Sequence, residues 1–289
     1  MEPAATRVFE EHRDLLMAVA YRVLGRVCDA EDVVQEAWLR WSGVRHPGVR
    51  DARAFLVRVT TRLAIDRLRR VQARREDYIG PWLPEPILTT GDAGDHTVLA
   101  DSVSMAMLVV LETLSPLERA VFVLREAFSF PYPDIAEIIG RSEPAVRQLA
   151  SRAREHVAGN RPRFDADRVT RRRVTERFLA ACTSGNIHAL LELLAPDVTL
   201  VGDGGGRAKA PLRIINGAGK VARFLMAIAA DPAMANLEIE LMEVNGGPAV
   251  VASAAGVPAT MLALDLADGL VQTVRLVANP DKLAGLTRR

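Results

Sequence analysis

Along Glu143–Val157 the side chains that could read nucleic acid fall on one side of a helix. Val146, Leu149, Ala150, Ala153 and Val157 recur at helical spacing as a buried face. Arg147, Gln148, Ser151, Arg152 and Arg154 are left outside. Guanidinium and amide groups in such a row can donate to base edges and to phosphate oxygens. A second cationic group lies on "DARAFLVRVTTRLAIDRLRRVQARRE". Here Phe55, Leu56, Val59, Leu63 and Leu68 point inward, while Arg58, Arg62 and Arg69 form one outward stripe and Arg67, Arg70 and Arg74 another. So dense a run of one sign destabilises its own helix unless something anionic neutralises it, and a nucleic-acid backbone is the preferred partner. Thr60, Thr61 and Asp66 lie among these arginines, within reach of base edges. A third group, Asp32, Gln35 and Glu36, is acidic and polar; it repels phosphate and suits a basic protein surface.

Catalytic sets are poorly represented. From Arg168 onward the chain has neither Tyr nor Trp, and His188 is the only histidine. Asp203 could act as a base, but no oxyanion donor accompanies it. Cys28 and Cys182 form no CxxC spacing and read as buried free thiols of a reducing cytosol, with no metal site expected. No run is long and apolar enough to cross a membrane, and the N-terminus is acidic and amphipathic, unlike a secretory signal.

The elements that position these residues follow from periodicity and breakers. The chain has 289 residues, enough for two or three domains, and a net charge of +1 that hides strong local clusters. Arg50–Arg75 carries nine arginines, Glu76–Ser102 six acids and neither Lys nor Arg, and Arg141–Arg173 is basic again. Helices are expected over Val8–Leu24, Ala30–Trp41, with Asp29 as an acidic N-cap, and Ala52–Arg75. The Pro- and Gly-rich stretch after Tyr78 reads as a linker with an acidic second half. A helix-turn-helix closes the next helical unit, with Gly140 breaking its first helix, Ser142 at the N-cap of the second and Pro144 in the first turn. Beyond Arg168, one or two helices (Val169–Thr183, Ile187–Leu194) precede the strand "DVTLVG", and a helix over Ala218–Ala229 is followed by three or four closing strand-like runs, an α+β pattern with a curved antiparallel sheet.

Taken in order, "AEDVVQEAWLRW", "RAFLVRVTTRLAIDRLRR" and "LETLSPLERAVFVLREAFSFPYPDIAEIIGRSEPAVRQLASRAR" resemble conserved regions two and four of bacterial RNA polymerase sigma factors, in the compact extracytoplasmic-function group. The resemblance implies a multidomain chain: an all-α region two (7–78), a linker (79–102), an all-α region four with its helix-turn-helix (103–160) and a C-terminal domain (166–289). It implies that Asp32, Gln35 and Glu36 meet the β′ clamp helices of core polymerase. Arg58, Thr61, Arg62, Asp66, Arg69 and Arg70 would contact the −10 element of promoter DNA. Arg141, Ser142, Glu143, Arg147, Gln148, Ser151, Arg152 and Arg154 would contact the −35 element. Arg62 stands where many members of the group have Asn, and the helix lacks exposed aromatic wedges, so strand opening must rely on pockets for unstacked bases and on backbone charge.

"WLPEP", "DGGGR" and "NPDKL" resemble signatures of the subgroup that carries a fused SnoaL-like domain, similar to the nuclear transport factor 2-like cone of helices over a curved sheet. Arg207 replaces the usual Lys after the glycines. The subgroup resemblance implies regulation in cis, with Trp82 and Pro84 in the linker meeting Asp203, Arg207, Asn279, Asp281 and Lys282. A cytoplasmic sigma factor is the expectation, monomeric when free, without cofactor or catalytic residues. Three alternatives stand beside it: a one-component DNA-binding regulator, a sensor with a small ligand in the C-terminal cone, and an enzyme in that cone.

Overall fold

A computed structural model of the chain describes residues 3–44, 49, 51–74, 78–89, 103–160 and 167–287. The acidic half of the linker, the "RHPG" segment and the side chain of Arg74 lie outside the described residues. Contacts divide the chain into two units. One comprises residues 1–76 and 107–161, the other 77–106 and 162–289. The linker therefore belongs with the C-terminal domain, while the two helical regions share a unit.

In the first unit α1 (Pro3–Leu24), α2 (Val27–Ser42) and α3 (Ala52–Arg74) form a bundle. Leu16, Tyr21, Leu24, Ala30, Val34, Leu56, Leu63 and Leu68 fill it. Trp41 is buried, with its indole N–H on the Ala5 carbonyl at 2.9 Å, and Trp38 meets Phe9 edge-on at 5.0 Å. The start of α2 differs from expectation. Asp29 is not the N-cap; the helix begins three residues earlier than expected, at Val27, and Asp29 is buried in its first turn between Arg26 and Arg67. Cys28 beside it is exposed rather than buried, because Val27, Asp29 and Ala30 take the inward positions.

Helix α4 (Met105–Glu112) leads to α5 (Pro116–Phe122), which Ser115 and Glu118 close with a capping box. A π-turn, α6 (Tyr132–Ile139) and α7 (Glu143–Asn160) follow. Arg119 is fully buried, donating to the Arg22 carbonyl at 3.0 Å and to Glu112 at 2.6 Å, and so joins the two helical regions through a paired charge.

The second unit sets α8 (Arg168–Thr183), α9 (Ile187–Leu193) and α10 (Ala218–Ala229) against a six-stranded sheet. Its strands are β1 (Leu194–Asp203), β2 (Ile215–Asn216), β3 (Glu238–Val244), β4 (Gly247–Ala254), β5 (Val257–Ala267) and β6 (Leu270–Val277), in the order β2-β1-β6-β5-β4-β3. The sheet is mixed rather than antiparallel. β1 runs parallel to β6, which requires a crossover, and the passage through α10 supplies it. β3 to β6 are joined by tight hairpins at Asn245-Gly246, Ala255-Gly256 and Asp268-Gly269, each residue with positive φ as such turns demand. Phe178, Leu190, Leu225, Leu200 and Val274 form the core between helices and sheet. A short α11 (Pro280–Leu283) and a 3-10 turn (Ala284–Leu286) follow the last strand.

Candidate functional site

The helix-turn-helix has the expected geometry. Gly140 adopts φ 66 and ψ 46, a left-handed cap that lets α6 stop and α7 start at a new angle. On α7 Val146, Ala150, Ala153 and Val157 are buried, with Leu149 half-buried. Arg141, Ser142, Arg147, Gln148, Ser151, Arg152 and Arg154 are exposed. Several of these cations hold partners within the unit. Arg147 pairs with Glu143 at 2.5 Å and lies 4.6 Å over the Tyr132 ring. Arg152 pairs with Glu118, and Arg154 bridges Glu126 and the Tyr132 hydroxyl, at 2.9 and 2.6 Å. Exposed pairs of this kind contribute about 0–1 kcal/mol, so exchanging them for phosphate costs little.

On α3 the arrangement is closed. Arg62 donates from Nε to the Ile138 carbonyl at 2.7 Å and from Nη2 to the Glu137 carbonyl at 3.0 Å, at the negative end of α6. Arg58 pairs with the Glu137 carboxylate at 2.7 Å. The first helix of the helix-turn-helix thus occupies the arginines expected to face DNA. Thr60 and Thr61 are completely buried, and among the described residues their hydroxyls have no hydrogen-bond partner. Asp66 pairs with Arg69, both exposed, and Arg70 is exposed. Part of the neutralisation that the arginine run requires therefore comes from inside the chain.

The acidic group on α2 is also engaged. Asp32 accepts from Arg67 at 3.0 Å, Arg67 being held as well by buried Asp29 at 2.6 Å, while Glu36 pairs with Arg40 at 2.6 Å. Gln35 lines a groove with Phe9, Met17, Val34 and Trp38. Asp32, Gln35 and Glu36 share one exposed side of α2.

A third constellation gathers around Asp203, at the end of β1. Its carboxylate is fully buried and accepts from the Tyr78 hydroxyl at 2.5 Å, the Leu83 N–H at 2.8 Å and the Lys282 ammonium at 2.6 Å. Lys282 also donates to the Leu83 carbonyl at 2.6 Å and sits 4.0 Å over the Trp82 ring. Asn279 caps α11, sends its amide to the Tyr78 hydroxyl at 2.9 Å and places its backbone N–H on the Asp203 carbonyl. The glycines explain themselves here. A Cβ at Gly205 would lie 2.3 Å from the Asn279 amide, and one at Gly204 would lie 2.4 Å from the Ala208 carbonyl. Arg207 forms an ion pair with Asp281 on the surface. Further along the linker, Ile87 donates to the Asn245 side chain and Thr89 to the Glu243 carbonyl, so Leu88 pairs with Val244 at the open edge of the sheet.

The structure thus brings Trp82, Asp203, Asn279 and Lys282 to one centre and sets Arg207 and Asp281 beside it. Pro84 is buried in the docked linker. Sequence reasoning missed Tyr78, Leu83 and Ile87, the last two being the most buried apolar anchors of the linker. Their signal was present: single apolar residues spaced among prolines make no helix or strand pattern, yet no solvated linker needs them. Among the described residues no cluster of His, Cys, Asp and Glu could hold a metal, and no helix is long and apolar enough to cross a membrane.

Residues 8–75 match Sigma-70 region 2 and residues 104–157 match Sigma-70 region 4. The chain is 40% identical to the ECF RNA polymerase sigma factor SigJ of Mycobacterium tuberculosis, over 96% of this chain and 92% of that one. This chain belongs to the extracytoplasmic-function sigma factors. It is also 34% identical to the probable ECF sigma factor SigI of the same species, over 94% of its own length. The crystal structure of M. tuberculosis SigJ superposes with a TM-score of 0.78 at 37% identity, covering 96% of this chain and 97% of that one. The protein is therefore a sigma factor for transcription initiation, with two helical sigma regions and an α+β C-terminal domain.

Proposed function

We propose that this sigma factor is regulated in cis by a latch between its linker and its C-terminal domain, and that its residues divide the work as follows. Asp32, Gln35 and Glu36 dock on the β′ clamp helices of core polymerase. Arg58, Thr61, Arg62, Asp66, Arg69 and Arg70 engage the −10 element once α3 has left α6. Arg141, Ser142, Glu143, Arg147, Gln148, Ser151, Arg152 and Arg154 read the −35 element as duplex. Trp82, Pro84, Asp203, Arg207, Asn279, Asp281 and Lys282 fix the linker and with it the spacing available to the two readers. The observation that carries this reading is the buried Asp203 carboxylate, shared by Tyr78 just before the linker, by the linker N–H of Leu83 and by the tail lysine. A minimal promoter-reading protein has no need of it.

The C-terminal domain in this reading is mechanical rather than catalytic. Asp203, its best candidate base, is committed to three donors, and the space between helices and sheet is filled by apolar side chains. A small ligand would act only by favouring the docked or the released linker. The chain acts in the cytoplasm as a free monomer until it meets core polymerase. Run-off transcription with Trp82→Ala, and separately with the tail removed from Asn279, tests the latch. Both changes are expected to move promoter output in the same direction. Opposite effects, or none from either, contradict it.

A further inference from the structure

The loop between Asp203 and Ile215 carries more than the latch. From Gly204 to Ala230 there is no carboxylate, and Arg207, Lys209 and Arg213 fall within seven residues. Among the described residues Lys209 and Arg213 have no ion-pair partner, and both are exposed. Leu212, between Lys209 and Arg213, and Ile214, just after Arg213, stand out of the surface at 66% and 51% exposure. The docked linker adds a third, Ile79, at 56%. Ile79 lies over Gly206, where a Cβ would come within 2.8 Å of its Cδ1, and Gly80 lies against Leu212, with 3.6 Å left for a Cβ. The glycines thus let linker and loop interleave, and the patch is composite: without the docked linker it loses one of its three apolar members and the backing of Leu212.

We infer that this composite patch is a second polymerase-binding surface, complementary to an apolar groove rimmed by carboxylates on core polymerase. An apolar centre with a charged rim is the anatomy of a protein interface, and contiguous exposed aliphatics on a soluble domain mark such sites. Phosphates would use the cations but gain nothing from Leu212, Ile214 and Ile79. The sign of the rim is opposite to that of the Asp32–Glu36 face, so the two surfaces meet different parts of the enzyme. Coupling follows from linkage. A partner that binds the composite patch favours the docked linker, and the docked linker strengthens that partner's binding by the same factor. Docking is then an activating state, the direction that the latch alone leaves open.

This inference rests on the sigma-factor reading and on the latch, and the test separates them. The full chain is titrated with purified core polymerase, as wild type, as Leu212→Ser with Ile214→Ser, and as Lys209→Glu with Arg213→Glu. All four positions are exposed, so the fold is untouched. Each pair is expected to weaken binding by about tenfold, the loss of one substantial interface contact. In a Trp82→Ala chain the same pairs are expected to add little further loss. Glu36→Lys, on the other surface, is expected to add its full effect in both backgrounds. Wild-type affinity in both pairs overturns the inference while leaving the sigma reading intact. Undiminished losses in the Trp82→Ala chain overturn its composite nature. Weakened binding to promoter duplex alone would make the patch a nucleic-acid surface, and loss of a concentration-dependent dimer would make it a self-contact; either result overturns it. A wild-type chain that fails to bind core polymerase sinks both readings.

Discussion

Replacing Lys282 by Met tests the latch at its most charged point. Asp203 and Lys282 are 0% and 2% exposed, and the ammonium is the only cation on that carboxylate among the described residues. Removing one partner of a buried pair strands the other charge and typically costs about 3–5 kcal/mol. The Lys282 bond to the Leu83 carbonyl goes as well, and the Trp82 ring loses its cation. Because these contacts join the tail and β1 to the linker, the cost falls mainly on docking. A shift of about 4 kcal/mol is roughly a thousandfold in the docked-to-released ratio. Hydrogen exchange reads this at three amides that exist as bonds only in the docked linker: Leu83 to Asp203, Ile87 to Asn245 and Thr89 to Glu243. Their exchange is expected to accelerate by at least a hundredfold, with amides between β4 and β5 unchanged. Adding Asp203→Asn is expected to restore more than half the protection, since the amide leaves no stranded charge and its oxygen still accepts. Unaltered exchange at all three amides in Lys282→Met refutes the reasoning, as does equal acceleration throughout the sheet.

Three further outcomes follow from the other sites. Glu137→Lys puts a like charge against Arg58 and Arg62, and its side chain is exposed, so the free chain is expected to bind a single-stranded −10 oligonucleotide several-fold better, about 1 kcal/mol; unchanged affinity contradicts the α3–α6 closure. Arg147→Ala is expected to relax −35 sequence preference at one position at a cost of about 1–3 kcal/mol, whereas Arg154→Ala weakens all duplexes alike and lowers the salt slope, both measured by anisotropy across salt. Burial pushes the Cys182 thiol up to about 12, so at pH 8 it stays protonated; iodoacetamide is expected to label exposed Cys28 alone, and rapid labelling of Cys182 contradicts its packing.

The parts of the molecule legible in its sequence are those written in local periodicity. The exposed polar face of α7 is one, because apolar residues at helical spacing leave Arg147, Gln148 and Arg154 only one side to occupy. The capture of Arg62 was not legible. Its partners are two backbone carbonyls about 75 residues away, and carbonyls carry no residue identity. Glu137 reads as an ordinary surface acid until α6 is placed against α3. Asp29 looked like a cap because acids favour helix starts; Arg67, 38 positions on, decides otherwise. The parallel pairing of β1 with β6 depends on which strand returns beside which, and alternation within a strand is silent on that. At the latch the motifs pointed to Trp82, Asp203 and Asn279, while Tyr78 and Leu83 stayed hidden in a stretch whose prolines suggested only an extended spacer.

The central claim is that this chain programmes core polymerase to initiate at promoters through residues on both helical regions. Run-off transcription with purified core polymerase, over templates that differ only in the −35 and −10 elements, tests it most directly. Core plus the full chain is expected to give a discrete transcript from matched templates, lost with Glu36→Lys and made weaker and less selective for the −35 element by Arg147→Ala. Core alone giving the same transcript, or the chain retarding matched duplex equally well without core, would contradict the account.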